Sequence, residues 1–410
     1  MRPWVSLAVF ALAYVLIAAR RFRFLPIGRP TGALLGAVLM VLLGCLTPKE
    51  AYASVDGNTI ALLFGMMVLQ VELERSGLLD ALAAAIAARR ASASGLLVLV
   101  TVASGVLSAL IVNDAVCLLG TPLVVRICRG GRLPALPYLL ALAIGSNVGG
   151  TMTLTGTPQC VIIGAYSGIS YARFASVMAP TGLVLLGVAS LFLVLFFRRR
   201  LRGLVVEPLT ATPVPLDRPR ARRFVITLAA VVVGFLAGLP LAWVALAGAC
   251  LSALLRFGEP TETLSRVDWS LLLFFASLFV VVGGVARAGW IDLAVDGLAP
   301  WLSDDPASRP VRFATFTLLG GNVFSNVPFV LVLGHGYPAA TESFWMQLAL
   351  TSTLAGNLTL VGSVANLIVA EAAEREGERV GFLDYLKVGV PVTVLTTAAG
   401  LLMLALFGRA

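Results

Sequence analysis

Charge is what this chain of 410 residues has little of: Asp, Glu, Lys and Arg make up 12% of it. A soluble domain carries about a quarter charged residues. With 59% hydrophobic residues and a mean hydropathy of +0.96, the soluble globular class is excluded. Histidine is almost absent, His335 being the single one. With no H-E-x-x-H and no nucleophile–base set, the sequence argues against an enzyme. No P-loop appears, so the chain carries no visible ATPase. The five cysteines (Cys45, Cys117, Cys128, Cys160, Cys250) form no CxxC pair, which argues against a disulfide framework and against a structural metal.

Long apolar runs recur from end to end instead, the pattern of a polytopic helical membrane protein whose first partner is lipid. The net charge of +9 does not point to nucleic acid, because the basic residues stand in short clusters between apolar runs, as orientation signals do. Spans are expected at 3–19, 28–46, 59–71, 135–166, 174–197, 224–239, 242–255, 269–285, 345–370 and 385–407, about ten transmembrane helices. Charge follows the first apolar run rather than preceding it, so that run reads as a helix and not a signal peptide. Segments 76–88 and 288–302 are short and amphipathic, suited to the membrane interface.

Two spans are broken. Residues 141–164 read ALAIGSNVGGTMTLTGTPQCVIIG, and 349–370 read ALTSTLAGNLTLVGSVANLIVA. Laid ungapped from Gly150 and Gly356, G-T-M-T-L-T-G-T-P lies over G-N-L-T-L-V-G-S-V. Paired interrupted segments in corresponding halves point to a transporter's binding site. Two further segments, 96–125 with Asn113-Asp114 inside and 313–334 with Ser325-Asn326 inside, suit re-entrant hairpins, tolerated at membrane depth only where buried in protein or lining a cavity.

The order repeats. Leu25 onward (LPIGRPTGALLGA) resembles Leu239 onward (LPLAWVALAGACL), and V-D-G-N from Val55 resembles V-D-W-S from Val267. The chain therefore reads as an all-α duplication: residues 1–200, a polar linker at 201–222, and residues 223–410. An odd number of crossings per half, about five, sets the halves in opposite orientations. Basic clusters at 20–29, 89–90, 126–132, 198–223 and 256–266 all fall on one side, the cytoplasmic one. Both termini are then expected outside, in what reads as a bacterial inner membrane, with Arg287 to Arg312 the exception on the outer face.

Such a repeat brings the hairpin tips and helix breaks together near the midplane. Helix N-termini there carry partial positive charge and receive anions, while carbonyls and side-chain oxygens hold small cations. The candidates are Asn113, Asp114, Thr153, Thr155, Gly156 and Thr157 from the first half. From the second come Ser325, Asn326, Asn357, Thr359, Gly362, Ser363 and Asn366. Asp114 is the expected coupling-ion residue: an intramembrane carboxylate is costly and functional by default, and burial disfavours its charged form. The competing expectation is that it caps the second hairpin arm. Arg126 is the nearest basic residue on that arm.

At these residues the chain resembles the ion transporter superfamily that holds divalent-anion/sodium symporters, citrate-transporter-like permeases, arsenite permeases and NhaD-type sodium–proton antiporters. The motifs are IVNDAVCLLGTPLV (111–124), SNVGGTMTLTGTPQCVIIG (146–164), SNVPFVLVL (325–333) and AGNLTLVGSVANLIVAE (355–371). In the sodium–dicarboxylate branch both tips read Ser-Asn-Thr. Here they read Val112-Asn113-Asp114 and Ser325-Asn326-Val327, and the Asn-Asp of the first tip with the A-G-N-L-T-L-x-G-S-x-A-N run is closer to the arsenite permease and NhaD branch. Cys160 stands where the family usually has Asn, and Asn366 keeps that residue in the second half. The resemblance implies secondary active transport of a small inorganic or carboxylate anion by alternating access. Its coupling ion is H+ or Na+, with sodium placed near Asn113 and Asn326, and no other cofactor is expected. Sodium–proton antiport is the alternative, and an ion channel the alternative of another class. Apolar outer faces and the relatives make a homodimer the expected assembly.

Overall fold

The computed structural model describes residues 3–18, 28–87, 92–204, 216–255, 260–303, 309–337 and 340–407. They form twenty α-helices, numbered here in chain order. In the first half these are α1 (Pro3–Ala18), α2 (Arg29–Leu42), α3 (Pro48–Ser54), α4 (Gly57–Ser76) and α5 (Leu78–Ala87). They continue as α6 (Ala93–Leu110), α7 (Asn113–Gly130), α8 (Ala135–Gly150), α9 (Pro158–Ser167) and α10 (Tyr171–Leu201). The second half holds α11 (Arg218–Leu236), α12 (Leu241–Leu254), α13 (Pro260–Ser265), α14 (Trp269–Arg287) and α15 (Trp290–Ser303). After them come α16 (Arg309–Phe324), α17 (Asn326–Gly336), α18 (Glu342–Ala355), α19 (Val364–Arg375) and α20 (Phe382–Phe407). Each helix of the first half has a counterpart, in the same order, in the second.

By length and composition alone, α6, α10, α14 and α20 are apolar enough to cross a membrane, and α3 with α4, bent by 53°, forms a further candidate. Of the remaining expected crossings, those in α1, α2, α8 and α12 are shorter apolar helices, and the one at 224–239 falls in α11, whose first turns are rich in arginine. The broken spans are α8–α9 and α18–α19, and the expected hairpins are α6–α7 and α16–α17, somewhat longer than their apolar cores. The short α3 was not expected. Thr47 and Glu50 nucleate it with a capping box: Thr47 Oγ1 accepts from the Glu50 N–H (3.3 Å) and the Thr47 N–H donates to Glu50 Oε2 (2.9 Å). α11 starts ahead of the expected boundary because Asp217 accepts from the Arg220 N–H (3.0 Å) with a proline in the first turn. Part of the expected linker, 205–215, lies outside the described residues.

Two groups of helices are apparent from their packing. α2 lies on α14 and α4 on α12, with α1 and α11 alongside. In the other group α6 lies on α8, α7 on α19, α16 on α18 and α10 on α20. Close packing rests on small residues, as expected where apolar side chains gain nothing by leaving lipid. A Cβ built at Gly149 would overlap the Gly105 backbone, so α6 and α8 touch main chain to main chain.

Ion pairs tie the ends of helices from different halves. Arg75 meets Glu262 (2.5 Å), Arg266 meets Glu74 (3.5 Å) and Arg129 meets Glu376 (3.5 Å). Elsewhere Arg173 meets Glu342 and Arg287 meets Glu50, both at 2.6 Å. Trp290 Nε1 donates to the Pro3 carbonyl (2.8 Å).

Candidate functional site

Both broken spans stop for the same physical reasons. α8 runs out at Gly149-Gly150, and α9 restarts at Pro158 behind Thr157, whose Oγ1 accepts from the Cys160 N–H (3.3 Å). α18 runs out at Ala355, and α19 restarts behind Ser363, whose Oγ accepts from the Ala365 N–H (3.2 Å). Each hairpin tip then docks on a glycine carbonyl of its own break. The Asn113 N–H donates to Gly156 O (3.0 Å), and Asn326 Nδ2 donates to Gly362 O (3.1 Å).

A cavity of about 140 Å³ opens where these pieces meet. The N-terminal turns of six helices face it: α2 (Arg29, Pro30), α7 (Asn113, Asp114), α9 (Pro158, Gln159), α14 (Ser270, Leu271), α17 (Asn326, Val327) and α19 (Val364). α2 and α14 belong to one packing group and the other four helices to the second. Asp268, the N-cap of α14, also lines the wall and accepts from the Leu271 N–H (3.0 Å). Ser325 caps α17 at φ 69°, a left-handed conformation strained for a residue with a Cβ. A second cavity of about 140 Å³ adjoins the first through Asp114, Pro158, Asp268, Leu271 and Val364, and adds Gln70 and Arg266.

Of the residues singled out in the sequence, Asn113, Asp114, Ser325, Asn326, Gly362 and Ser363 line the central cavity together. The others stand behind it. Thr153 Oγ1 donates to Ala109 O (2.6 Å), tying the first break to α6, and Thr155 sits 3.4 Å from it. Thr157 caps α9, and Gly156 accepts from the tip. Thr359 Oγ1 donates to Asn322 Oδ1 (2.8 Å), while Asn322 Nδ2 donates to Ala355 O (2.8 Å). Asn366 Nδ2 donates to Gly356 O (2.6 Å) and Thr359 O (3.1 Å), and its Oδ1, like that of Asn357, accepts from Asn147 Nδ2 (2.9 Å each).

Sequence reasoning missed Asn147, which is fully buried and joins both halves. Its signal was a lone amide in the apolar run of α8, overshadowed by the glycines that follow. It also missed Gln159, whose Nε2 donates to Thr353 Oγ1 across the halves (3.2 Å), and Arg29, absorbed into a basic orientation cluster. The expected basic neighbour of Asp114 needs correction. Arg126 pairs with Asp80 (3.0 Å), and the arginines that share a cavity with Asp114 are Arg29, on the central one, and Arg266, on the adjoining one. The capping role expected for Asp114 is not seen: the N-cap of α7 is Val112, with no side-chain bond. His335 accepts from or donates to the Tyr166 hydroxyl (2.9 Å), well away from the cavity lining. Among the described residues no cluster of three His, Cys, Asp or Glu is arranged to hold a metal.

The family model for citrate transporters (CitMHS) matches residues 14–343. The silicon efflux transporter LSI3 of Oryza sativa subsp. japonica is 30% identical, over 96% of this chain and 95% of its own length. The putative transporter arsB of Dictyostelium discoideum is 27% identical, over 100% and 93%. Among solved structures the fold matches the YdaH transporter of Alcanivorax borkumensis, with a TM-score of 0.64 at 16% identity, covering 100% of this chain and 99% of that one. MtrF of Neisseria gonorrhoeae follows at 0.52 and 12%, covering 99% and 94%. The superfamily resemblance read from the tips and breaks agrees with these matches, and the chain belongs to the CitMHS citrate transporter family of integral membrane transporters.

Proposed function

We propose that this protein is a secondary active transporter that moves a small oxyanion, or its hydroxyl-bearing conjugate acid, by alternating access. The observation that carries the reading is the ring of six helix N-termini, with Arg29 among them, around one small cavity. Each N-terminus carries about half a positive charge, so their convergence favours negative charge or electron-rich oxygen at the centre. The relatives' names, a silicon efflux transporter and arsB, lie within that chemistry.

The same wall carries acceptors. Asp114 and Asp268 line it, and Asn113 Oδ1 is buried with no hydrogen-bond partner among the described residues. A fully ionised dianion would press oxygen against oxygen there. An oxoacid that keeps hydroxyls satisfies both donors and acceptors.

The cavity lies between the two packing groups, where relative movement would alter access. A further cavity of about 240 Å³ is lined by Asn58, Thr59 and Leu62. These are the first-half counterparts of Ser270, Leu271 and Phe274, which line the central one. Repeat-equivalent cavities support an inverted pair of halves. So do the ion pairs: Arg75–Glu262, Arg266–Glu74 and Arg129–Glu376 join segments that the positive-inside reading puts in the cytoplasm, and Arg173–Glu342 and Arg287–Glu50 join segments it puts outside. Both termini are then external.

Sodium–proton antiport is the second reading, favoured by the two carboxylates on the wall. Purified protein in proteoliposomes, given arsenite, silicic acid, a dicarboxylate or sodium under imposed pH and sodium gradients, separates the two. Gradient-driven movement of an oxoacid supports the proposal. Movement of sodium and protons alone refutes it.

A further inference from the structure

Buried amides in this site have their orientation dictated from one end. Asn366 Nδ2 lies 2.6 Å from Gly356 O and 3.1 Å from Thr359 O. Backbone carbonyls only accept, so this end of Asn366 must be the NH2 and its Oδ1 must face away, toward Asn147. That oxygen has to be met by a donor, which turns Asn147 so that its Nδ2 reaches Asn366 Oδ1 and Asn357 Oδ1 (2.9 Å each). Asn147 Oδ1 then points the other way, where it accepts from Asn113 Nδ2 (3.0 Å) and Ser363 Oγ (3.2 Å). Asn113 is thereby turned in its place, with Nδ2 committed and Oδ1 the atom left without a partner.

We propose that Asn147 is a positioning residue. Through the relay Asn366–Asn147–Asn113, carbonyls of the second break set the polarity of the first hairpin tip and join the half-sites into one unit. All four hydrogen-bonding positions of Asn147 are filled by side chains, one from its own half and three from the other. Bonds in a buried network of this kind reinforce one another, and this one leaves an acceptor, Asn113 Oδ1, and a donor, Asn357 Nδ2, without a partner among the described residues. The first tip therefore keeps Asn113 Oδ1 as its unpaired acceptor, and the two half-sites share one buried amide, Asn147. The consequence for transport rests on the function proposed above; the orientation of the amides does not.

Asn147→Asp tests the relay. A carboxylate still accepts from Asn113 and Ser363 but loses both donors, setting oxygen against Asn366 Oδ1, which the two carbonyls hold in place; Asn357, whose Nδ2 has no other partner among the described residues, is free to turn and donate. Protonation returns one donor. Uptake of arsenite and silicic acid into proteoliposomes is expected to fall at least tenfold at pH 8 and to recover several-fold by pH 5.5. Asn147→Ala should lose activity without recovery. The titratable and charged side chains on the helices packed against α8 are Asp114, Cys117, Arg126, Cys128 and Arg129 on α7, Tyr171, Arg173 and Arg198 to Arg200 on α10, Glu342 on α18, and Glu371, Glu374 and Arg375 on α19, and they are common to all these proteins. Differences from the wild type therefore isolate the substitution. A wild-type profile in Asn147→Asp, or the same flat loss as in Asn147→Ala, overturns the proposal. Melting in detergent gives a reading free of substrate: the deficit of Asn147→Asp against wild type should shrink as pH falls. If wild-type protein moves neither probe, the proposed function fails, and a pH-independent melting deficit would still refute the relay. Should Asn147→Asp not accumulate, Asn113→Asp places the same oxygen–oxygen contact at the tip end and is held to the same outcomes.

Discussion

Replacing Asp114 by Asn separates a coupling role from a structural one, and the local geometry bounds each effect. Asp114 sits in the first turn of α7, whose N-cap is Val112, so no side-chain capping bond is lost. What is lost is the attraction between a half-buried carboxylate and the helix N-terminus, about 0.3–1 kcal/mol. Relief of the cost of carrying a charge at membrane depth acts in the opposite direction. Expression and melting temperature should therefore change little. Transport should change completely. One coupled proton supplies about 1.4 kcal/mol per pH unit, so a gradient of two units sustains up to roughly hundredfold accumulation of an uncharged probe. With no proton-carrying group at the tip, accumulation falls to about onefold. Exchange of labelled for unlabelled probe at equal concentrations, which needs no driving force, should persist. The assay is accumulation and counterflow of arsenite in the same proteoliposomes. Undiminished accumulation in Asp114→Asn refutes the coupling role, and loss of counterflow together with accumulation shows that Asp114 instead holds the substrate.

Three further outcomes are expected. On a cysteine-free background, Tyr52→Cys, at a position 80% exposed, should react with an impermeant thiol reagent only from outside, and Arg202→Cys only from inside. Reaction from one side for both ends the inverted topology. Gly149→Ala should lower stability by about 1–3 kcal/mol, because its Cβ must push α6 off α8. Gly187→Ala, with open space around its position, should not; thermal melting in detergent compares them. Arg29→Gln should raise the KM for an oxyanion about tenfold or more, as expected for a lost charged hydrogen bond, with a smaller change in Vmax. An unchanged KM would remove Arg29 from the binding role.

The helices were readable from the sequence because lipid enforces them: a backbone at membrane depth must bond to itself, so apolar runs can only be helices. The breaks were readable for the complementary reason. Gly149-Gly150 before Thr157-Pro158, and Gly356 before Ser363, combine helix-ending and helix-starting chemistry in a setting that otherwise forbids it. α3 was not, since a short helix at the end of a span carries no hydrophobic period. Asn147 and Gln159 escaped because their significance depends on what lies opposite. Nothing in S-N-V-G-G records that three side chains roughly two hundred residues away converge on that amide. Arg29 escaped because a basic residue beside a span has a sufficient reason for being there, as an orientation signal, which hides any second one.

Duplication explains the scaffold, but the chemistry lies where the copies differ. Aligned on Gly150 and Gly356, Asn147 answers to Thr353 and Cys160 to Asn366. Both positions cross between halves, Thr353 taking Gln159 Nε2 at 3.2 Å and lying 3.8 Å from Cys160 Sγ. A thiol and a hydroxyl make weak, adjustable contacts, whereas the amides on the other side form a chain with one permitted orientation. The tips differ in the same sense. The first carries the ionisable Asp114, and the second carries Val327 beside a strained Ser325. Two identical halves would meet the substrate with the same groups from both directions. The divergence leaves a chain of amides on one face and weaker thiol and hydroxyl contacts on the other, and the two tips contribute one ionisable group, Asp114, between them to the cavity.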